Sequence, residues 1–384
     1  MDYQEALAYI HAVHWQGHKP GLDRIRTLLA ALGDPHKQLR FVHVAGTNGK
    51  GSTAAMLDSC LRCAGYRVGL FTSPYINRFN ERIQVDGVPI PDGDLVRLVE
   101  QVRPAASAMA DVPTEFELIT ALGMDHVQEL GPTLADIAAA KAGIIKPGSP
   151  VVSYGGASEA DRVIADAAAA CGAPLTVADF ARLTLRGAGL EGQTFDYDGL
   201  TGLTLPLLAR YQPRNAAVAI EALRALRARG WQIPDSAIRQ GLAQVRWPGR
   251  FELLRRDPPF LLDGSHNAHG MRATADSLRA LFPGEKFVFL VSIMADKDVD
   301  EMLRLLLPLA KGFVTVTAPS PRAIPASELA ARIEALGGRA EPAGGIPAAV
   351  ARVWELAAGG PAAALGTLYF SGEVREAVAD LAKN

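Results

Sequence analysis

The stretch HVAGTNGKGST at 43–53 packs three glycines and a lysine into the seven residues Gly46 to Ser52, between an apolar run (FVHVA, 41–45) and a helix-period stretch from Thr53 to Ala64. Where a strand turns through glycines into a helix, several backbone N–H groups and the positive helix end face one point, which suits an anion. Lys50 would neutralise phosphate charge there, Ser52 would offer an oxygen to Mg²⁺, and Gly46, Thr47, Asn48, Gly49 and Gly51 would complete the cradle. The usual G-x-x-x-x-G-K-[ST] spacing is not met: Val44 stands at the first glycine and Gly51 where the hydroxyl should be. A ligand-free glycine turn is the plainer alternative, but it does not need this many glycines with a lysine.

Other groups are less specific. Ser73 and Pro74 end an apolar run and open a polar loop holding Asn77, Arg78, Asn80, Glu81 and Arg82; by itself it reads as a solvated loop. Glu117 and His126 are nine residues apart, too loose for a metal pattern on spacing alone. Lys141 sits at the end of an alanine-rich helical stretch, where a solvated lysine is the ordinary reading. Asp263-Gly264-Ser265-His266-Asn267 fits a strand end followed by a helix N-cap. Cys60 and Cys63 form a CxxC without a second pair, and Cys60 falls on the apolar stripe of Met56, Leu57, Leu61 and Ala64, so core packing explains it.

Short runs rich in Val, Ile and Phe alternate with helix-period stretches, predicting βα units around a largely parallel sheet. FVHVA, then the glycine loop, the helix to Ala64 and RVGLF form the first unit; Asn215 to Arg229 predicts a helix stopped by Gly230. Arg246-Trp247-Pro248-Gly249-Arg250 separates two periodic regions and is the predicted linker. Beyond it FLLDG, KFVFLVSIM, GFVTVTA and AAALGTLYF read as strands, and VDEMLRLLLPLA and ASELAARIEALG as helices. The expected fold is α/β, with a P-loop-type domain over 1–247 and a smaller Rossmann-like domain over 248–384.

With 384 residues, two cores are the natural expectation. A net charge of −2 without a Lys/Arg stripe argues against nucleic acid. No run has membrane-spanning length, and the N-terminus lacks a secretory pattern. Three cysteines, an odd number, argue for a reducing compartment, so a cytoplasmic monomer is expected.

GTNGKGS resembles the loop of the peptidoglycan Mur ligases and, more closely, of folylpolyglutamate and dihydrofolate synthases. KPGLDRI, FTSPYINRFNERI, TEFE, MDH, AAKAGIIKPG, RFELL, LLDGSHN, DKD and LGTLYFSGEVR resemble that family's blocks in the same order. The resemblance implies ATP and Mg²⁺, with a monovalent cation as a further companion, and L-glutamate with dihydropteroate or a reduced folate as substrates. It implies that Ser52, Ser73, Glu117 and His126 surround the metal, that Lys50, Lys141 and His126 serve catalysis, and that Lys141 is carried as a carbamate, although Ala140 replaces the family's preceding Glu. Gln212 and Asn215 then match positions near adenine, and Arg250, Asp263 and His266 match positions lining the nucleotide from the second domain. The implied chemistry is transfer of the γ-phosphoryl group to a carboxylate, followed by attack of the glutamate amine on the acyl phosphate.

One departure stands out. Between TEFE and MDH the family carries a helix, a buried strand and a glycine-rich turn, roughly forty residues that are missing here between Glu117 and Ile119, and removing an interior strand leaves its neighbours needing partners. A catalytically impaired or merely nucleotide- and folate-binding relative is therefore the alternative expectation, and a cell-wall Mur-type ligase a further one.

Overall fold

The computed structural model describes residues 1–12, 23–107, 133–156 and 158–381. Glu117 and His126 lie outside the described residues.

The first part of the chain sets small sheets around the helix Lys50–Cys63. Strands β1 (Gly69–Phe71), β2 (Ile83–Val85) and β3 (Val88–Pro89) make an antiparallel meander. β4 (Val151–Ser153) pairs in parallel with β5 (Leu175–Val177). β6 (Leu183–Gly189), β7 (Gly192–Tyr197) and β8 (Leu200–Leu205) make a second antiparallel meander, which the sequence reading missed. Met56, Leu57 and Cys60, spaced to share one helix face, pack with Phe195, Leu203, Ile220, Leu223 and Leu242. Helix Asp235–Gln244 comes very close to that face because residue 241 has no side chain: a Cβ on Gly241 would lie 2.4 Å from Cys60 Cα. The helix predicted from Asn215 begins three residues earlier, at Gln212, and runs to Ala228; Gly230, with φ of 91°, follows its end.

The predicted strand at 41–45 is a correction. Those residues belong to no strand, and Leu39, Phe41 and Val42 are 63%, 69% and 43% exposed. β1, inside the predicted RVGLF, pairs with β2 rather than alongside 41–45. Among the described residues no strand pairs with 41–45, and an extended run without a ladder partner does not form a strand.

The second part is a doubly wound sheet. β9 (Glu252–Arg256), β10 (Pro259–Asp263), β11 (Phe287–Val291), β12 (Ala310–Thr315), β13 (Ala340–Pro342) and β14 (Ala362–Leu365) lie in the order β13-β12-β11-β14-β10-β9, all parallel except β9. Side chains alternate between faces. Phe287, Phe289, Val291, Phe313 and Leu365 pack under helices Ala268–Leu281, Val299–Leu306 and Ala326–Ala335. Val288, Leu290, Val314 and Ala364 pack under helices Ile346–Ala357 and Ser371–Leu381. Burial on both faces is why these strands read as unbroken apolar runs. No helix among the described residues is long and apolar enough to cross a membrane.

Candidate functional site

The glycine loop ends where helix Lys50–Cys63 begins, with Gly49 as N-cap at φ 88°. Gly46 also has positive φ, 140°, so two glycines supply backbone angles that side chains resist. Lys50 Nζ donates to the Thr47 carbonyl at 3.2 Å, curling over the loop it was expected to serve. Gly46 to Ser52 line a cavity of about 1630 Å³, whose walls also include Ser73, Lys141, Asn215, Arg250, Asp263 and His266. The cavity thus gathers the described candidates with one exception, Gln212.

Gln212 is fully buried behind the loop. Its Nε2 donates to Ser52 Oγ at 3.2 Å, while its Oε1 accepts from Asn215 Nδ2 at 3.0 Å. Gln212 thus links the Ser52 hydroxyl to Asn215, the other residue expected near adenine. Asn215 stays close to the loop: a Cβ on Gly49 would lie 2.8 Å from Asn215 Oδ1.

The C-terminal sheet presents the opposite wall, where β10 ends. Asp263 is buried, and its Oδ1 accepts from the Phe251 backbone N–H at 3.1 Å and its Oδ2 from Ser265 Oγ at 2.7 Å and from Thr274 Oγ1. Both oxygens are thus engaged within the protein, and Asp263 shapes the turn that carries His266. His266 Nδ1 lies 2.8 Å from the Gly264 carbonyl; a proton on Nδ1 makes it the donor and leaves Nε2 as the acceptor. Asn267 caps helix Ala268–Leu281 through a 2.8 Å bond from the Gly270 N–H, so the predicted N-cap is present beside the predicted site. Burial holds His269 below the usual imidazole range, with Arg272 acting in the same sense. Neutral, its Nδ1 accepts from Asn48 Nδ2 at 2.9 Å, and Asn48 also meets Asn267 at 3.3 Å. The two parts of the chain therefore touch directly at the phosphate loop.

Ser73 follows β1 and its Oγ accepts from Arg82 Nη2 at 3.1 Å. The loop beyond it is organised by Glu81, whose carboxylate accepts from the backbone of Ile76, Asn77 and Arg78. Lys141 is in the last turn of helix Leu134–Ala142 and faces the cavity. Ser52 and Ser73 offer hydroxyl oxygens to a cation, and no group of three acidic, His or Cys side chains forms a metal cage among the described residues. Such a sparse oxygen set suits Mg²⁺, which binds through one or two protein groups, water and substrate phosphates.

Sequence reasoning missed a charged group on the C-terminal wall. Asp296 lies 3.3 Å from Lys297 Nζ and 3.4 Å from Arg322 Nη1, and Arg322 also reaches Tyr369 Oη at 3.3 Å. DKD marked the first two, but nothing local marks Arg322, which arrives from the loop after β12.

A nucleotide loop facing a doubly wound sheet across one cavity is the layout of a two-domain, Mur-type ATP-dependent ligase, and residues 249–365 match the family model described as Mur ligase, glutamate ligase domain. The dihydrofolate synthase/folylpolyglutamate synthase of Bacillus subtilis is 36% identical over 85% of this chain and 88% of its own length. The apo form of the L. casei folylpolyglutamate synthase superposes with a TM-score of 0.83 at 31% identity, covering 99% of this chain and 100% of that one. A complex of a folylpolyglutamate synthase with AMPPCP and folate superposes equally, at 0.83 and 31% identity, over 98% and 99%. The chain belongs to the folylpolyglutamate synthase and dihydrofolate synthase family. The Bacillus alignment runs over 377 positions, whereas 85% of 384 residues is about 326, so about fifty positions of that relative have no counterpart here.

Proposed function

We propose that the chain ligates L-glutamate to dihydropteroate, to a reduced folate, or to both, with ATP converted to ADP and phosphate. The observation that carries this is the single cavity joining the phosphate loop to the basic wall of the C-terminal sheet. Residues 1–247 form the ATP-binding part and 248–384 the glutamate-ligase part, the division falling within the linker that brings Arg250 into the cavity. The protein acts as a monomer on small molecules in the cytoplasm, and its three free thiols support the reducing compartment.

A carboxylate resists an amine because its leaving group is too poor. Breaking the bond between the γ-phosphorus and the bridging oxygen of ATP, and forming one to the acceptor's carboxylate oxygen, makes phosphate the leaving group. The glutamate amine then adds to the carbonyl, loses a proton, and phosphate departs as the amide forms. Lys50 and the loop N–H groups stabilise the charge that moves. Ser52 and Ser73 would hold Mg²⁺, with Glu117 and His126 completing the set, and the ion when bound neutralises phosphate charge. Gln212 fixes the Ser52 hydroxyl for that task. Lys297 and Arg322, beside Asp296, suit an amino acid with two carboxylates and an ammonium. Catalysis then rests on positioning and electrostatics, with no side-chain nucleophile.

The test is a product mass. Purified protein with ATP, Mg²⁺, glutamate and either dihydropteroate or tetrahydrofolate should yield the pterin plus one glutamyl unit, with equimolar ADP. A second reading, a nucleotide- and folate-binding relative without turnover, is favoured by the fifty-odd missing positions. ATP binding without glutamate-dependent ADP would select it.

A further inference from the structure

At position 51 the loop carries glycine where the usual phosphate loop has a hydroxyl, and the structure gives a local reason. A Cβ on Gly51 would lie 2.4 Å from Trp247 Cζ2 and 2.7 Å from both Cε2 and Nε1. Real side chains do not reach such distances, and here the obstacle is a rigid bicyclic ring that has few rotamers in which to retreat. The indole of the linker therefore fills the space that a residue at 51 would need, against the first turn of the helix that begins at Lys50.

Two further observations give this contact more than a packing role. Trp247 Nε1 is buried and has no hydrogen-bond acceptor among the described residues, an uncommon state for an indole N–H. It sits beside the loop whose purpose is to receive an acceptor-rich anion. Trp247 also lines the same cavity as Lys50 and Arg250, three residues further along the linker. Gly249, between them, is itself closely packed: a Cβ there would meet Ile76 Cδ1 and Leu368 Cδ2, both at 3.0 Å. The phosphate loop, the linker and Leu368 of the C-terminal part are thus in serial contact.

We infer that Trp247 is a positioning residue for ATP: its indole sets the first turn of the phosphate-loop helix, imposes glycine at 51, and ties the loop to the linker that carries Arg250. This rests on the ligase reading for its substrate but not for its geometry. Because the ring is keyed to the missing side chain, substitutions at 51 and 247 do not act independently.

The test is a double-substitution cycle read by calorimetric binding of AMPPCP, with circular dichroism to check folding. Gly51→Ala should weaken AMPPCP about tenfold or more in the wild-type background, yet less than about twofold when Trp247→Ala has opened the space. Equal losses in both backgrounds overturn the inference. AMPPCP should change the tryptophan emission of the wild-type protein, and Trp247→Phe, which keeps an aromatic ring at the site, should bind within about threefold of wild type but lose that change; no emission change in wild type that binds AMPPCP also overturns the inference. An emission change of the same size in both proteins overturns the inference too, and it can be read even if the alanine variants do not fold. Wild-type protein that binds no AMPPCP at all would overturn the ligase reading along with it, whereas wild-type binding with an additive cycle removes only the role of Trp247.

Discussion

The side-chain amide of Gln212 donates to the Ser52 hydroxyl at 3.2 Å from a position with no solvent exposure. Because Gln212 also accepts from Asn215, a chain of three polar side chains runs behind the phosphate loop and fixes which way the serine oxygen points. Gln212→Leu leaves two buried polar groups without a partner, so it should destabilise the protein by about 1–3 kcal/mol and raise the KM for ATP. Thermal melting and steady-state kinetics on one preparation decide the matter. A raised KM with an unchanged melting temperature would mean that Gln212 meets the nucleotide directly.

A methyl group at 241 has nowhere to go. It would press on Cys60 Cα and Cys60 N, at 2.4 and 2.6 Å, and backbone inside a helix cannot step aside as a side-chain tip can. Gly241→Ala should therefore cost about 1–3 kcal/mol or more, seen as a lower denaturation midpoint. Gly284→Ala is a useful contrast, since nothing lies within 4 Å of its added carbon; its φ of 82° confines any loss to backbone strain.

The C-terminal strands were legible because both faces of that sheet are covered, which forces apolar residues at every position and leaves runs such as Phe287 to Val291. β13 was not, being three residues long with Glu341 at its centre, and β9 carries Glu252, Arg255 and Arg256. The phosphate loop was legible from glycine spacing. Its grip by Asn267, His269 and Trp247 was not, because these contacts join positions about two hundred residues apart, beyond any local pattern. The pattern at 41–45 did read as a strand, and failed only because a strand needs neighbours. Among the described residues no strand pairs with those five.

Burial pushes the Cys60 thiol up to about 12, with Cys63 and Asp58 adding to the effect. A raised pKa leaves almost no thiolate at pH 8, and thiolate is the reactive form. Iodoacetamide at pH 8 should therefore modify the half-exposed Cys63 and Cys171 in native protein and spare Cys60, which reacts only after unfolding. Peptide mass mapping gives the order, and early loss of Cys60 would contradict the packing of that helix face.

Among the lysines that line the cavity, Lys50 and Lys141 have different expected parts, and alanine at each separates them. Lys50→Ala removes the cation over the loop and one bond to the Thr47 carbonyl, so the fold should persist within about 1 kcal/mol. Turnover should fall by about a hundredfold to a thousandfold, since in the proposed mechanism this charge serves the transferring phosphoryl group. As a carbamate, Lys141 would act through the metal it helps to hold, so Lys141→Ala should lose about tenfold to a hundredfold in kcat, the range for groups acting behind a metal. Carbon-13 bicarbonate should label Lys141 with a carbamate carbon that disappears in the alanine variant. Wild-type rates in Lys141→Ala would remove the carbamate from the mechanism, while wild-type rates in Lys50→Ala would remove the phosphate loop itself.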